Sequence, residues 1–93
     1  MAVEEKRILK MIYLLSRTDS YLKAGELARE LNISERTVKN DIDHLREACR
    51  NCGCNLKSVR GKGYILEIRD TERFAQTREW INILFNNVEK EVK

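Results

Sequence analysis

The 93-residue sequence contains no proline, a single histidine and four glycines, and only 6% of it is aromatic. There is no low-complexity stretch and no internal repeat, which excludes repeat architectures and compositionally biased linkers. The longest apolar run, Met11 to Leu15, falls far short of the ~20 residues a membrane-spanning helix needs. The first residues, "MAVEEKRILK", lack the apolar core and small-residue cleavage site of a signal peptide, so a cytoplasmic location is expected. With one histidine, no glycine-rich phosphate loop after a strand, no paired carboxylates in a cleft and no nucleophile elbow, catalytic chemistry finds no foothold. The expectation is a non-enzyme without cofactor. The length suits one domain with a modest core.

What is present is charge, which makes up 35% of the residues and leaves a net +3. Residues 1–33 carry six basic and five acidic side chains, residues 34–62 seven and four, and residues 63–93 five and six. The surplus therefore sits in the middle third, and local basicity of this kind suits a polyanion, nucleic acid first. An ordinary solvated surface is the bland alternative.

Hydrophobic spacing divides the chain. Ile8, Leu9, Ile12 and Leu15 form a helical stripe that predicts a first helix from about Glu4 to Arg17. "AGELAREL" reads as a short second helix that buries Leu27, Ala28 and Leu31. In the break that follows, Asn32 tolerates a left-handed backbone, Ile33 can drop into the core and Ser34 is a favoured N-cap. A third helix then starts at Glu35 and runs to about Cys49, with Val38, Ile42, Leu45 and Cys49 inward. Two short helices joined by so tight a turn suggest a helix-turn-helix.

The period then changes. Leu56 to Val59 and Tyr64 to Ile68 are β-prone, and "RGKG" between them gives a hairpin whose Gly61 and Gly63 supply positive φ. Arg60 and Lys62 come to the tip, and such a hairpin directly after a helix-turn-helix is a wing. Asp70 or Thr71 can cap a final helix, with Phe74, Ile81, Leu84, Phe85 and Val88 roughly on one stripe and Trp80 beside it. Part of that stripe should pack on the first helix. The fold class is mainly α with a small β-hairpin: a winged helix-turn-helix with a three-helix core, a β wing and a C-terminal helix. The division is a DNA-binding domain over residues 1–69 and a helix over 70–93 that packs, dimerises or leads into further domains.

Candidate functional residues follow from the 100° turn of the third helix. With Val38 inward, Arg36, Asn40 and Asp43 face outward, and Thr37, Lys39 and His44 lie on the flanks. The N-terminal part of one α-helix fits the major groove of DNA. Arg36 has the fork for guanine O6 and N7, and Asn40 can pair twice with adenine. Ser34, Thr37, Lys39 and the helix N-terminus suit phosphates. Asp43 can read a cytosine amino group or hold Lys39 or Arg46, and Asp41, near the buried edge, is better suited to accept a structural hydrogen bond. Arg60 and Lys62 suit phosphates or the minor groove, whereas Tyr64 should pack.

Cys49, Cys52 and Cys54 crowd into six residues, an odd count that argues against a disulfide framework. Together with His44 they include zinc-binding types, but C-x2-C followed by one residue and a third cysteine is not a usual spacing. Buried or incidental thiols are the simpler reading, and no metal site is expected.

The segment "AGELARELNISERTVKNDIDHLRE" resembles the helix-turn-helix of the DeoR and biotin-repressor type, with its "ELA…LN(I/V)S.RTV..DI..L" pattern. "GCNLKSVRGKGYIL" resembles the wing of the same modules, where "GKGY.L" recurs. Together they resemble the N-terminal domain of BglG-family operon regulators, such as the lichenan and mannitol regulators, over residues 1–68. The resemblance implies binding to a double-stranded DNA operator and a longer protein whose further domains are phosphorylated on histidines by the sugar phosphotransferase system. A homodimer on an inverted or direct repeat is expected, because one module buries too little surface for tight specific binding. The RNA-binding members of that family use a different, β-rich module. Asp43 and the cysteine cluster depart from the pattern. Two rivals remain: a winged helix used for protein–protein contact, and a thiol- or zinc-responsive DNA-binding sensor.

Overall fold

A computed structural model describes residues 3–91, with side chains described from Glu5 to Phe85. The order is α1 (Val3–Ser16), α2 (Ala24–Leu31), α3 (Glu35–Asn51), β1 (Cys54–Val59), β2 (Gly63–Ile68) and α4 (Thr71–Glu91). This is a winged helix-turn-helix, the class expected from the sequence.

Each boundary has a local cause. Asn32 ends α2 with φ 56°, in the left-handed region, where a short polar side chain is better tolerated than most. The Ile33 amide then bonds back to the Ala28 carbonyl at 3.0 Å. Ser34 caps α3, its hydroxyl accepting from the Thr37 amide at 3.0 Å. Asp70 caps α4 in the same way, with its carboxylate accepting from the Arg73 amide at 3.1 Å. Gly53, at φ +82°, turns the chain from α3 into β1. A Cβ there would meet the Asp70 carbonyl oxygen at 2.9 Å, so the position also requires the missing side chain.

The strands pair antiparallel, from Cys54 opposite Ile68 to Val59 opposite Gly63, leaving Arg60, Gly61 and Lys62 as the loop. One further contact of the hairpin was not apparent from the sequence. Leu22, between α1 and α2, forms a bridge with Tyr64. The Leu22 amide donates to the Tyr64 carbonyl at 2.9 Å, and the Tyr64 amide to the Leu22 carbonyl at 2.8 Å.

One core joins all four helices and β1. Met11, Ile12 and Leu15 of α1 meet Leu27 of α2, Val38, Leu45 and Cys49 of α3, Leu56 of β1, and Phe74 and Ile81 of α4. Tyr13 stacks obliquely on Phe85, ring centroids 5.2 Å apart, so α4 packs on α1. Leu31 and Ile33 are only partly buried at the edge of this core. Val88 lies outside the described side chains.

Candidate nucleic-acid interface

The outward face of α3 has a clear internal division. Arg36, Lys39, Asn40 and Asp43 are exposed, while Val38, Asp41, Ile42, Leu45 and Cys49 are buried. Among the described residues, none forms a hydrogen bond or ion pair with the side chains of Arg36, Asn40 or Asp43. A fork-shaped cation and a carboxamide therefore stand side by side with their hydrogen-bonding capacity unspent.

The neighbouring polar residues are partly committed. Ser34 and Thr37 share a hydroxyl–hydroxyl hydrogen bond of 2.8 Å in addition to the cap. Lys39 pairs with Glu35 at 3.7 Å, one turn back, rather than with Asp43. Both partners are well exposed, so the pair contributes only tenths of a kcal/mol. Arg46 does not reach Asp43 either. Its guanidinium donates to the Leu56 carbonyl at 2.9 Å, which ties α3 to the first wing strand.

Asp41 is the structural acceptor that its position suggested. Arg7 of α1 grips it with two hydrogen bonds, Nε to Oδ2 at 2.5 Å and Nη2 to Oδ1 at 3.1 Å. This forked pair, with side chains 20% and 11% exposed, fixes the rotation of α3 about its axis. Asn40 next door is thereby aimed outward.

At the wing tip Arg60 is exposed, with no hydrogen-bond or ion-pair partner among the described residues. Lys62 is exposed as well, but its ammonium stands over the Tyr21 ring, 5.7 Å from the centroid. Tyr64, two residues beyond the loop, is partly buried against the core.

His44 stands apart. It lines an open groove of about 580 Å³ between α1, α3 and α4, together with Glu5, Glu47 and the half-exposed Trp80. Among the described residues the lining contains carboxylates, of which Asp41 is paired with Arg7, and no lysine or arginine, so it is a poorer seat for phosphate than the outward face of α3. His44 thus sits at the border between this groove and the outward face of α3.

The cysteines are free. Cys49 and Cys54 are buried, and the hydrogen bond between their thiols, together with burial, pushes Cys49 far above the ordinary thiol range. Burial also pushes the Cys52 thiol up, against a hydrogen bond with Thr77 that favours the thiolate. The same hydrogen bond lowers the Cys54 thiol, against the opposing effect of its burial. Only Cys49 and Cys52 are therefore held toward the neutral form, in which a thiol is a poor nucleophile and a poor metal ligand. Among the described residues, no three of histidine, cysteine, aspartate and glutamate are grouped to hold a metal ion.

Residues 7–65 match the HTH domain family. The chain belongs to that family. This HTH domain is also 35% identical over 68 residues to a "Probable licABCH operon regulator" of Bacillus subtilis (strain 168). The aligned stretch is 73% of this chain but 11% of that protein, so the domain spans about a tenth of the relative's length. The match agrees with the resemblance to BglG-type regulators carried by the "LNISERTV" and "GKGY" segments. DNA binding in transcription regulation is the coarse function that family and relative support, and no described helix is long and apolar enough to cross a membrane.

Sequence reasoning missed four contacts of this HTH domain: Arg7 with Asp41, Tyr21 with Lys62, Leu22 with Tyr64, and Arg46 with the Leu56 carbonyl. Each partner lies ten or more positions away in the chain, and nothing in local periodicity marks it.

Proposed function

We propose that this domain binds duplex DNA sequence-specifically, as the reading head of a non-enzymatic regulator of carbohydrate genes linked to the sugar phosphotransferase system. The observation that carries the reading is the pair Arg36 and Asn40, exposed on the first turns of α3 with no partners among the described residues. The carbohydrate assignment rests on the resemblance to BglG-type regulators and on the relative's description as a probable operon regulator.

In this reading the N-terminal half of α3 enters the major groove. Arg36 pairs with guanine, Asn40 with adenine, and Asp43 accepts from a cytosine amino group. Lys39, Thr37, Ser34 and the helix N-terminus meet phosphates. Arg60 and Lys62 hold the backbone or the minor groove from the wing. His44, bordering an acidic groove, touches DNA only at the edge of the footprint. Residues 1–69 form the binding unit, and α4 braces it through Phe74, Ile81 and Phe85. Two copies on a repeated half-site supply the surface that one small module lacks, and the further domains implied by the BglG resemblance supply regulation.

Paired substitutions test the division of labour. Arg36→Ala should cost about 1–3 kcal/mol and relax preference at one base position. Lys62→Ala should weaken all sequences alike and flatten the salt dependence by about one unit of slope. Identical behaviour of the two variants would refute the split between reading and clamping. A protein-contact role centred on the groove beside Trp80 would leave both substitutions without effect.

A further inference from the structure

The wing is not a free flap. Its second strand is held to the α1–α2 connection by the two hydrogen bonds between Leu22 and Tyr64, 2.9 and 2.8 Å long. Gly63 lies so close to that connection that a Cβ would fall 2.4 Å from the Leu22 carbonyl oxygen. Tyr21 precedes Leu22, and Lys62 precedes Gly63, so these two side chains leave backbones that are locked together. The Lys62 ammonium is 5.7 Å from the centre of the Tyr21 ring, within the ~6 Å over which the ring quadrupole attracts a cation. Arg60, across the loop, lacks such a support among the described residues.

From this geometry we infer that Tyr21 is a positioning residue of the wing: its ring holds the Lys62 ammonium where it meets a DNA phosphate. A long lysine side chain surrenders rotamer freedom when it is immobilised at an interface. Resting on the ring, Lys62 has surrendered part of that freedom before DNA arrives. The ammonium carries three N–H donors, and the ring lies on one side of it only. Its solvent side therefore remains available to a phosphate oxygen. The inference rests on the wing's backbone contact proposed above.

The test is the affinity of the 93-residue chain for a duplex of mixed sequence at low salt, because a phosphate contact needs no particular bases. Tyr21→Leu should weaken binding about two- to fivefold. Tyr21→Phe, which keeps the ring face, should bind like the unsubstituted protein. In a Lys62→Ala background, Tyr21→Leu should add no further loss. Additive losses, or failure of Tyr21→Phe to preserve affinity, overturn the positioning role while leaving the wing contact standing. If Lys62→Ala alone binds normally, the wing contact falls and the role of Tyr21 falls with it. Should Tyr21→Leu fail to fold, proton NMR of the unsubstituted chain decides: the ring current shifts the Lys62 ε-methylene protons upfield, and unshifted resonances overturn the inference.

Discussion

Asn40 and Asp41 are adjacent in the chain and opposite in fate. Asn40 is exposed and without a partner among the described residues, while Asp41 is buried and gripped by Arg7 from 34 positions away. Removing the carboxylate deletes two charge-assisted hydrogen bonds at a largely buried site, so Asp41→Ala should destabilise the domain by about 2–3 kcal/mol in a denaturant titration. Because the same pair sets the rotation of α3, the variant should also lose affinity for DNA while remaining folded. The sequence already marked Asp41 as an acceptor, since 100° steps from Val38 place it beside the buried stripe. It could not name Arg7, because a tertiary partner leaves no local signature. The same limit explains Lys39: Glu35 and Asp43 are equally spaced from it, and only the structure chooses Glu35. The thiols give a second prediction at this scale. Cys49 and Cys54 are buried and Cys52 half-buried, so alkylation of the native protein at neutral pH should modify Cys52 first. Modification of Cys49 should await unfolding, which a mass-spectrometric time course resolves. Equal rates at all three would show that the α3–β1 corner opens freely.

At the scale of elements, the helices were legible and the sheet only in part. The stripes of α1, α2 and α3 repeat at helical spacing, and they are punctuated by the left-handed backbone of Asn32 and by the side-chain caps of Ser34 and Asp70, each reaching an amide three residues on. Those signals survive in sequence because cause and effect lie within four residues. The wing hairpin was equally plain from "RGKG" between two β-prone runs. The Leu22 bridge was not, since a single residue pair has no periodicity and its partner lies beyond two helices. Two glycine substitutions separate these contributions. Gly61 has φ +83° with open space around it, so Gly61→Ala should cost about 1 kcal/mol from backbone strain alone. Gly63 has φ +111° and backs onto the Leu22 carbonyl, so Gly63→Ala should cost more than about 2 kcal/mol and unseat the wing. Thermal unfolding of both variants checks the order, and hydrogen exchange at the Leu22 and Tyr64 amides shows whether the bridge has opened. Equal costs would mean that the Leu22 bridge contributes nothing.

For the molecule as a whole, α4 closes the core rather than trailing from it. Phe74 and Ile81 are each 1% exposed, packed with residues of α1, α3 and β1. Phe74→Ala should therefore cost about 3–5 kcal/mol and melt the domain as one cooperative unit. A small cost, with α4 alone fraying, would make α4 an appendage of a self-sufficient core. The charge pattern read from the sequence also takes on a shape at this scale. Arg36, Lys39, Arg60 and Lys62 lie exposed on α3 and the wing tip, while carboxylates line the groove beside Trp80. Composition by thirds could locate the basic surplus in the chain but not on a face. Selection of bound duplexes from a random pool tests the central claim most directly, run in parallel with the unsubstituted chain and with Arg36→Ala. The account predicts one enriched motif for the unsubstituted chain, and the same motif with one base position relaxed for the variant. A pool that stays unenriched, or a motif that Arg36→Ala leaves unaltered, would contradict it.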